Sequence, residues 1–200
     1  MCCPRSSTVP PEIRLRTVGS PQVYTMVADR GADAGLAARL IVSDATVATP
    51  VFSTEYVILC PADTCLPDRK ISPTELDPHY EVSVTSWTGE TRRWHDAHWD
   101  PYTPVYLQVD NNHITHSYLT RPENWAVCPA SIAIAIRDRE PGALTIRRLS
   151  ADAPRHTCYL VFQRSQLKNR TEIVQRLLRN ILEYAEESYL LQPIYNGLPG

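Results

Sequence analysis

Apolar positions along this chain recur with two periods, and segments of each kind alternate from end to end. Ile13-Arg14-Leu15-Arg16-Thr17-Val18 repeats every second residue and predicts a strand. Gly19-Ser20-Pro21 follows as a turn into a helix, with Ser20 as cap and Pro21 at the first helical position. Val23, Met26 and Val27 give that helix an apolar stripe, and Gly31 is placed to end it. Ala34 to Ala37 predicts a short strand, Val47 to Phe52 an extended run, and Tyr56 to Cys60 a strand buried on both faces.

The second half of the chain continues the alternation. Ser72-Pro73-Thr74-Glu75 has the form of a capping box opening a short helix. Glu81 to Trp87 alternates as a strand, and Thr91 to Trp99 is a helix stopped by Pro101. Val105 to Val109 predicts a strand, after which Asp110-Asn111-Asn112 caps a helix through Leu119. Trp125 to Cys128 is strand-like, Ala130 to Ile136 a buried helix, and Leu144 to Leu149 and Cys158 to Phe162 are strands. Ile173, Val174, Leu177, Leu178, Ile181 and Leu182 carry the strongest helical spacing, within a helix expected over 171–191. Repeated strand–helix alternation predicts an α/β fold with largely parallel sheets.

Composition narrows the class of protein. The 200 residues are 43% hydrophobic, enough for a core and too many for a disordered tail. Twenty Lys and Arg against 22 Asp and Glu leave a net charge of -2, which argues against a basic nucleic-acid module. No apolar run approaches the ~20 residues of a membrane helix, and MCCPRSSTVPPE lacks the apolar core of a signal peptide. The expectation is a cytoplasmic protein with no membrane contact. Its six cysteines form no CxxC pair and are expected to be reduced, mostly buried thiols.

Candidate chemistry is sparse. His95 and His98 lie three apart within WHDAHWD, whereas helical metal pairs usually stand four apart beside a Glu, so a tryptophan-rich packed helix is the expected role. His113 and His116 repeat that spacing and take the same reading. No GxSxG elbow, Walker A loop or GxGxxG is present, and no catalytic residue, metal or cofactor is expected. Three polar turns after strands remain: Gly19-Ser20, Asp110-Asn111-Asn112 and Pro129-Ala130-Ser131. Helix starts at strand ends point backbone N–H groups outward, so together these turns are suited to a small polar or anionic ligand. Taken singly, each is an ordinary helix cap.

Across nearly its whole length the chain resembles the effector-binding domain of LysR-type transcriptional regulators. PEIRLRTVGSPQVYTMVADRGADAGLA resembles that family's second strand, its helix and third strand. VATPVFSTEYVILCPADTCLPDRKISPTELDP resembles its crossing strand and the helix that follows, and WHDAHWDPYTPVYLQVD with ENWAVCPASIA resembles a subgroup of the family. RRLSADAPRHTCYLVFQR and the last helix resemble the return crossing.

The resemblance implies two α/β lobes of periplasmic-binding-protein type II with an effector between them. Lobe I would hold residues 12–52 and 153–191, lobe II residues 53–152, with tails at 1–11 and 192–200. Effector contacts implied are Ser20, Asn111, Asn112, Pro129 and Ala130, with Thr49 and Phe52 lining the cleft more weakly. The effector would be anionic if Arg14, Arg16, Arg92 or Arg93 faced it. The function implied is sensing, not catalysis, in a bacterial homo-oligomer, dimer or tetramer. DNA would be reached only through a domain absent from this chain.

The match begins inside the first lobe, so the expectation is an N-terminally truncated domain. It would lack the winged helix-turn-helix and the first strand–helix unit of lobe I, leaving residues 13–18 and 34–37 without a shared neighbour. The alternatives carried are a free-standing solute-binding protein of the same fold, a non-functional relict, and an enzyme built on His95 and His98.

Overall fold

A computed structural model describes residues 14–87, 89–166, 172–187 and 191–194. Its elements in chain order are α1 (Ser20–Ala28), β1 (Ala34–Ala37), β2 (Thr46–Thr54), β3 (Tyr56–Pro61), β4 (Val82–Val84), α2 (Gly89–His98), β5 (Leu107–Val109), β6 (Ala126–Pro129), α3 (Ala130–Arg139), β7 (Leu144–Arg148), β8 (His156–Gln163), α4 (Glu172–Glu187) and β9 (Leu191–Pro193). Short 3-10 turns cover Pro73–Glu75, Pro78–Tyr80, Asn112–Tyr118 and Arg164–Gln166.

Apolar burial separates these elements into two lobes. One cluster is drawn entirely from residues between Tyr56 and Leu149, with Val57, Ile58, Leu59, Trp125 and Val127 at its centre. Two smaller clusters serve the other lobe: Val51, Phe52, Leu160 and Phe162 pack beneath Val174, Leu178 and Ala185 of α4. On the opposite side Val23, Tyr24 and Val27 of α1 cover Ala37 and Val161. Gly35 permits the close approach of α1 to β1, because a Cβ there would collide with the Val23 side chain. The lobe I sheet runs β1-β8-β2-β9, and lobe II contains β6-β3-β7 together with the pair β4-β5.

The expected α/β fold is present, but its sheets are not largely parallel. Among the described residues, five of the six ladders are antiparallel and only β4–β5 runs parallel. A parallel pair needs a crossover, usually a helix. Here β2 passes directly into β3, and β7 returns to β8 without a helix, so the crossing strands meet their neighbours head to tail.

Other expectations also change. The period-two pattern at 13–18 forms no strand over its described part, residues 14–18, where every residue is exposed and Leu15 is 91% so. Alternation becomes a strand only when a ladder partner satisfies the backbone; among the described residues β1 pairs only with β8. The strand expected over Glu81–Trp87 shortens to β4, and the two 3-10 turns at Pro73 and Pro78 replace one short helix. Ser72 and Glu75 do form the expected capping box. Helix α1 is capped by Gly19, not Ser20, and the chain leaves it through Arg30 at φ 59°. Pro193 closes β9 against β2 where a tail was expected to begin.

Cys60 and Cys128 are buried, Cys158 is partly so and Cys65 is exposed. Burial pushes the Cys60 thiol up to about 11, and those of Cys128 and Cys158 to about 12. No helix among the described residues is long and apolar enough to cross a membrane.

Candidate functional site at the lobe crossings

Strand β2 ends at Thr54 and β3 begins at Tyr56, so the first crossing is the single residue Glu55. Both polar groups of Glu55 are tied to lobe II. Its carbonyl accepts the Ala130 N–H at 2.9 Å, and its carboxylate accepts from Arg148 Nε at 2.8 Å. The second crossing is residues 149–155, between β7 and β8. Ser150 still belongs to lobe II, donating its N–H to the Ile71 carbonyl at 2.8 Å. Arg155 belongs to lobe I, where its Nε donates to Ser53 Oγ at 2.9 Å and its Nη2 to the Ser53 carbonyl at 3.3 Å. The chain between Ser150 and Arg155, Ala-Asp-Ala-Pro, is the longer connection, with Ala153 packed against the lobe II core.

Register shows which residues share this end of the molecule. Thr54 pairs with His156, so the start of β8 marks the crossing end of the lobe I sheet. Ser20 Oγ accepts the Ala38 N–H at 3.1 Å, and Ala37 pairs with Tyr159. Ser20 therefore lies two to three residues from that end, roughly 7–10 Å along the strand direction. In lobe II Tyr56 pairs with Pro129, which puts the start of α3 beside the crossing. Parallel pairing of Val84 with Val109 brings the ends of β4 and β5 together, followed by Trp87 and Asn111 respectively. Trp87 meets the Tyr56 ring edge-on at a centroid distance of 6.1 Å. The three helix starts singled out by their polar turns thus gather toward the crossing end of their own lobes.

Their donors are partly engaged. The Ala130 N–H is taken by Glu55, so it is not offered to a ligand as its place at a helix start suggested. Asn111 caps its own 3-10 turn, Oδ1 accepting the His113 N–H at 2.8 Å. Asn112 Oδ1 is buried and makes no hydrogen bond. Thr49 and Phe52 both lie on β2, Phe52 opposite Cys158 and two residues from the crossing end, Thr49 farther in. Thr49 is 7% exposed and pairs with Leu160, well inside the lobe I sheet. Phe52 packs, with Val51, in the apolar cluster under α4, next to a register shift between Pro50 and Phe52.

A cluster that sequence reasoning missed occupies the crossing itself. The Tyr56 hydroxyl lies 3.2 Å from Thr91 Oγ1, in the first turn of α2, and 3.4 Å from His156 Nδ1. The Tyr56 and His156 rings meet edge-on at 5.9 Å. Burial pushes the Tyr56 phenol up and the His156 imidazole down to about 4. Where neutral His156 carries its proton on Nε2, Nδ1 accepts from Tyr56 and the Tyr56 oxygen is left to accept from Thr91.

This fixes the sign of a pH effect. Between about 4 and the ordinary value of 6.5 the unfolded chain binds a proton at His156 that the folded chain does not. Stability is complete above that window and declines as pH falls through it, by about 2–3 kcal/mol for this group. Denaturant midpoints measured from pH 7 to pH 4 should show the decline, and His156→Gln should flatten part of it.

Behind Trp87, His95 Nε2 lies 2.9 Å from Glu81 Oε1, with side-chain exposures of 6% and 0%. The His95 ring is flanked by Trp87 at 5.0 Å and Trp99 at 4.9 Å, and its Nδ1 faces Asp96 Oδ1 at 3.3 Å. His98 instead turns to the Trp94 carbonyl at 2.8 Å. The two histidines therefore diverge, and among the described residues no group of three or more His, Cys, Asp or Glu is placed to hold a metal ion. A surface hollow of about 300 Å³ lined by Arg30, Asp33, Gln163 and Ser165 sits at the opposite end of β8 from His156.

Comparison with known proteins agrees with this architecture. The model of the LysR substrate binding domain matches residues 11–186. No curated protein matches the sequence. The regulatory domain of MetR from N. meningitidis, in a form with two cysteines replaced by serine, superposes with a TM-score of 0.53 at 13% identity, covering 89% of this chain and 84% of that one. The reduced OxyR regulatory domain from Pseudomonas aeruginosa gives 0.60 at 17% identity, covering 82% and 79%. The regulatory domain of MexT, a transcriptional activator in the same organism, gives 0.60 at 16% identity, covering 84% and 81%. At such identities the likeness to these structures is one of fold, and the matched family model carries the assignment: the chain belongs to the LysR substrate binding domain family, the effector-binding regulatory domains of LysR-type transcriptional regulators.

Proposed function

We propose that the chain senses a small polar or anionic metabolite between its lobes and reports it by a change in inter-lobe angle, without a chemical step. The observation that carries this reading is the placement of the starts of α1, α3 and the Asn112 turn toward the two short crossings. Ser20, Asn111, Asn112 and Pro129 are the proposed contacts, with a hydroxyl and two amides to select for hydrogen-bonding groups. The dipoles of α1 and α3 favour negative charge at their starts. A ligand that binds the closed arrangement better than the open one shifts their populations by its differential affinity. Such a shift would reach DNA through a homo-oligomer, as expected for a regulator of this family.

Calorimetry against a panel of small carboxylates, phosphates and amino acids tests the reading. One compound should bind, and Ser20→Ala should weaken it about tenfold, a loss of ~1.4 kcal/mol for one hydrogen bond to a charged group. Binding that survives both Ser20→Ala and Asn111→Ala unchanged would move the site elsewhere. Sedimentation at increasing concentration measures the self-association.

A further inference from the structure

The crossing contains a bond that neither the fold nor the effector reading requires. Glu55 is held to lobe II through its carbonyl and its carboxylate, and Arg155 is held to lobe I through Ser53. These anchors, with Ala153 packed on the lobe II core, leave the Thr54–Glu55 junction and the chain between Ala153 and Arg155 as the places about which the lobes would turn. Both pivots are breaks in regular structure: β2 ends at Thr54, and four residues outside any helix or strand separate Ser150 from Arg155. The Tyr56 hydroxyl spans the gap. Tyr56 opens the lobe II sheet opposite Pro129, while His156 opens the lobe I strand opposite Thr54. A hydrogen bond between them couples the two sheets at the axis about which they would turn.

We infer that Tyr56 is an inter-lobe latch, its hydroxyl holding the lobes at one angle by donating to His156 while Thr91 feeds it from α2. The direction of the bonds rests on the Nε2-protonated tautomer of His156. A tyrosine has one hydrogen, and a neutral imidazole whose Nε2 carries the proton offers Nδ1 as an acceptor. The Tyr56 hydrogen therefore goes to His156, and the hydroxyl oxygen is left to accept from Thr91 Oγ1. Burial of His156 preserves that acceptor at neutral pH.

Thr91 makes the latch sensitive to α2. The helix begins at Gly89, whose φ of 61° suits a glycine, and Thr91 lies in its first turn. The far side of α2 is fastened to the core through His95 and Glu81, and the Trp87 ring lies between that pair and Tyr56. A displacement of the first turn of α2 withdraws the Thr91 donor and turns the Tyr56 hydroxyl away from His156. The latch is thus a positioning element acting through the crossing, and it operates with no ligand bound.

The test needs no effector. Spin labels are placed at Cys65, exposed beyond the outer end of β3, and at an Asp44→Cys site, exposed before the outer end of β2. Cys2→Ser, Cys3→Ser and Cys158→Ser remove the terminal thiols and the partly buried one. The distance distribution between labels reads the angle, and the melting temperature is measured alongside.

The unmodified latch should give one narrow distribution. Tyr56→Phe keeps the ring and removes the hydroxyl. It should roughly double the width of the distribution, as expected of a freed hinge, while the melting temperature stays close to the parent value. His156→Asn retains an acceptor near the Nδ1 position and should stay narrow, whereas His156→Leu should broaden like Tyr56→Phe.

A distribution unchanged in both Tyr56→Phe and His156→Leu overturns the latch. So does a lowered melting temperature with no broadening, which is the signature of a purely structural bond. If Tyr56→Phe fails to fold, His156→Leu decides by the same criteria. If both fail to fold, the bond is a stability element and the latch is overturned. The proposed effector site can fail its binding test while the latch survives, because no ligand enters this measurement.

Discussion

Trp125→Ala should lose about 3–5 kcal/mol of stability, the range for removing a large aromatic from a packed core. Trp125 is 1% exposed, and its ring lies 5.1 Å from that of Trp99, at an angle of 41°. Its indole N–H donates to the Asp77 carbonyl at 3.0 Å, and its backbone N–H donates to the Tyr80 carbonyl at 3.2 Å. It therefore joins β6 to the turn that precedes β4, and a cavity there strands the Asp77 carbonyl as well as emptying volume. At roughly 2–4 °C per kcal/mol for a chain of this size, the melting temperature should drop by on the order of 10 °C. Trp125→Phe, which refills most of the space and loses only the donor, should recover more than half of that. A drop of only one or two degrees for the alanine variant would mean that lobe II closes over the space.

Glu81→Ala should cost about 1–3 kcal/mol, for a lost hydrogen bond instead of a lost volume. Removing one partner of a buried hydrogen bond leaves the other with its desolvation cost and no compensation. Here the survivor is His95, enclosed by Trp87 and Trp99 with Asp96 near its other nitrogen. The Glu81 backbone stays in place, accepting the Leu107 N–H at 3.2 Å and bridging Trp125, so the loss is confined to the side chain. Glu81→Gln retains an acceptor toward His95 Nε2 and should cost less than half as much. The double variant Glu81→Leu with His95→Leu separates the effects, because removing both partners should cost less than removing either. Equal loss in the single and double variants would mean that packing, not pairing, is what Glu81 supplies.

Much of the local structure was readable from pattern, and the exceptions have physical causes. Continuous apolar runs such as Tyr56–Cys60 announce a strand wherever they fall, because burial on both faces leaves them no other environment. The Asn111 cap was legible for a local reason, since its side chain satisfies a helix end two residues on, whereas the first N–H of α3 is satisfied by Glu55 on another strand end. Residues 14–18 show the limit of that logic, since their alternation is intact and their ladder is missing. Strand β9 shows the converse, a Leu-Gln-Pro with no period that pairs because β2 presents an edge beside it.

Strand direction failed because alternation along the chain says that helices intervene, not which strand lies beside which. The site divided along the same line. Helix starts could be named in advance, whereas the Tyr56 cluster joins partners 35 and 100 residues apart, and no local signal marks them.

The position of β8 has a consequence for the order in which the chain becomes a protein. It lies between β1 and β2, yet it is made about a hundred residues after them, so the first lobe has no centre while the ribosome is still completing the second. At roughly 5–20 residues per second, the N-terminal segments wait on the order of 5–20 s with their apolar faces uncovered. Lobe II is a continuous stretch that can close by itself during that interval. Folding is therefore expected to proceed from lobe II outward, with β1 and β2 recruited last. That delay is when nascent chains are most exposed to chaperones, proteases and one another.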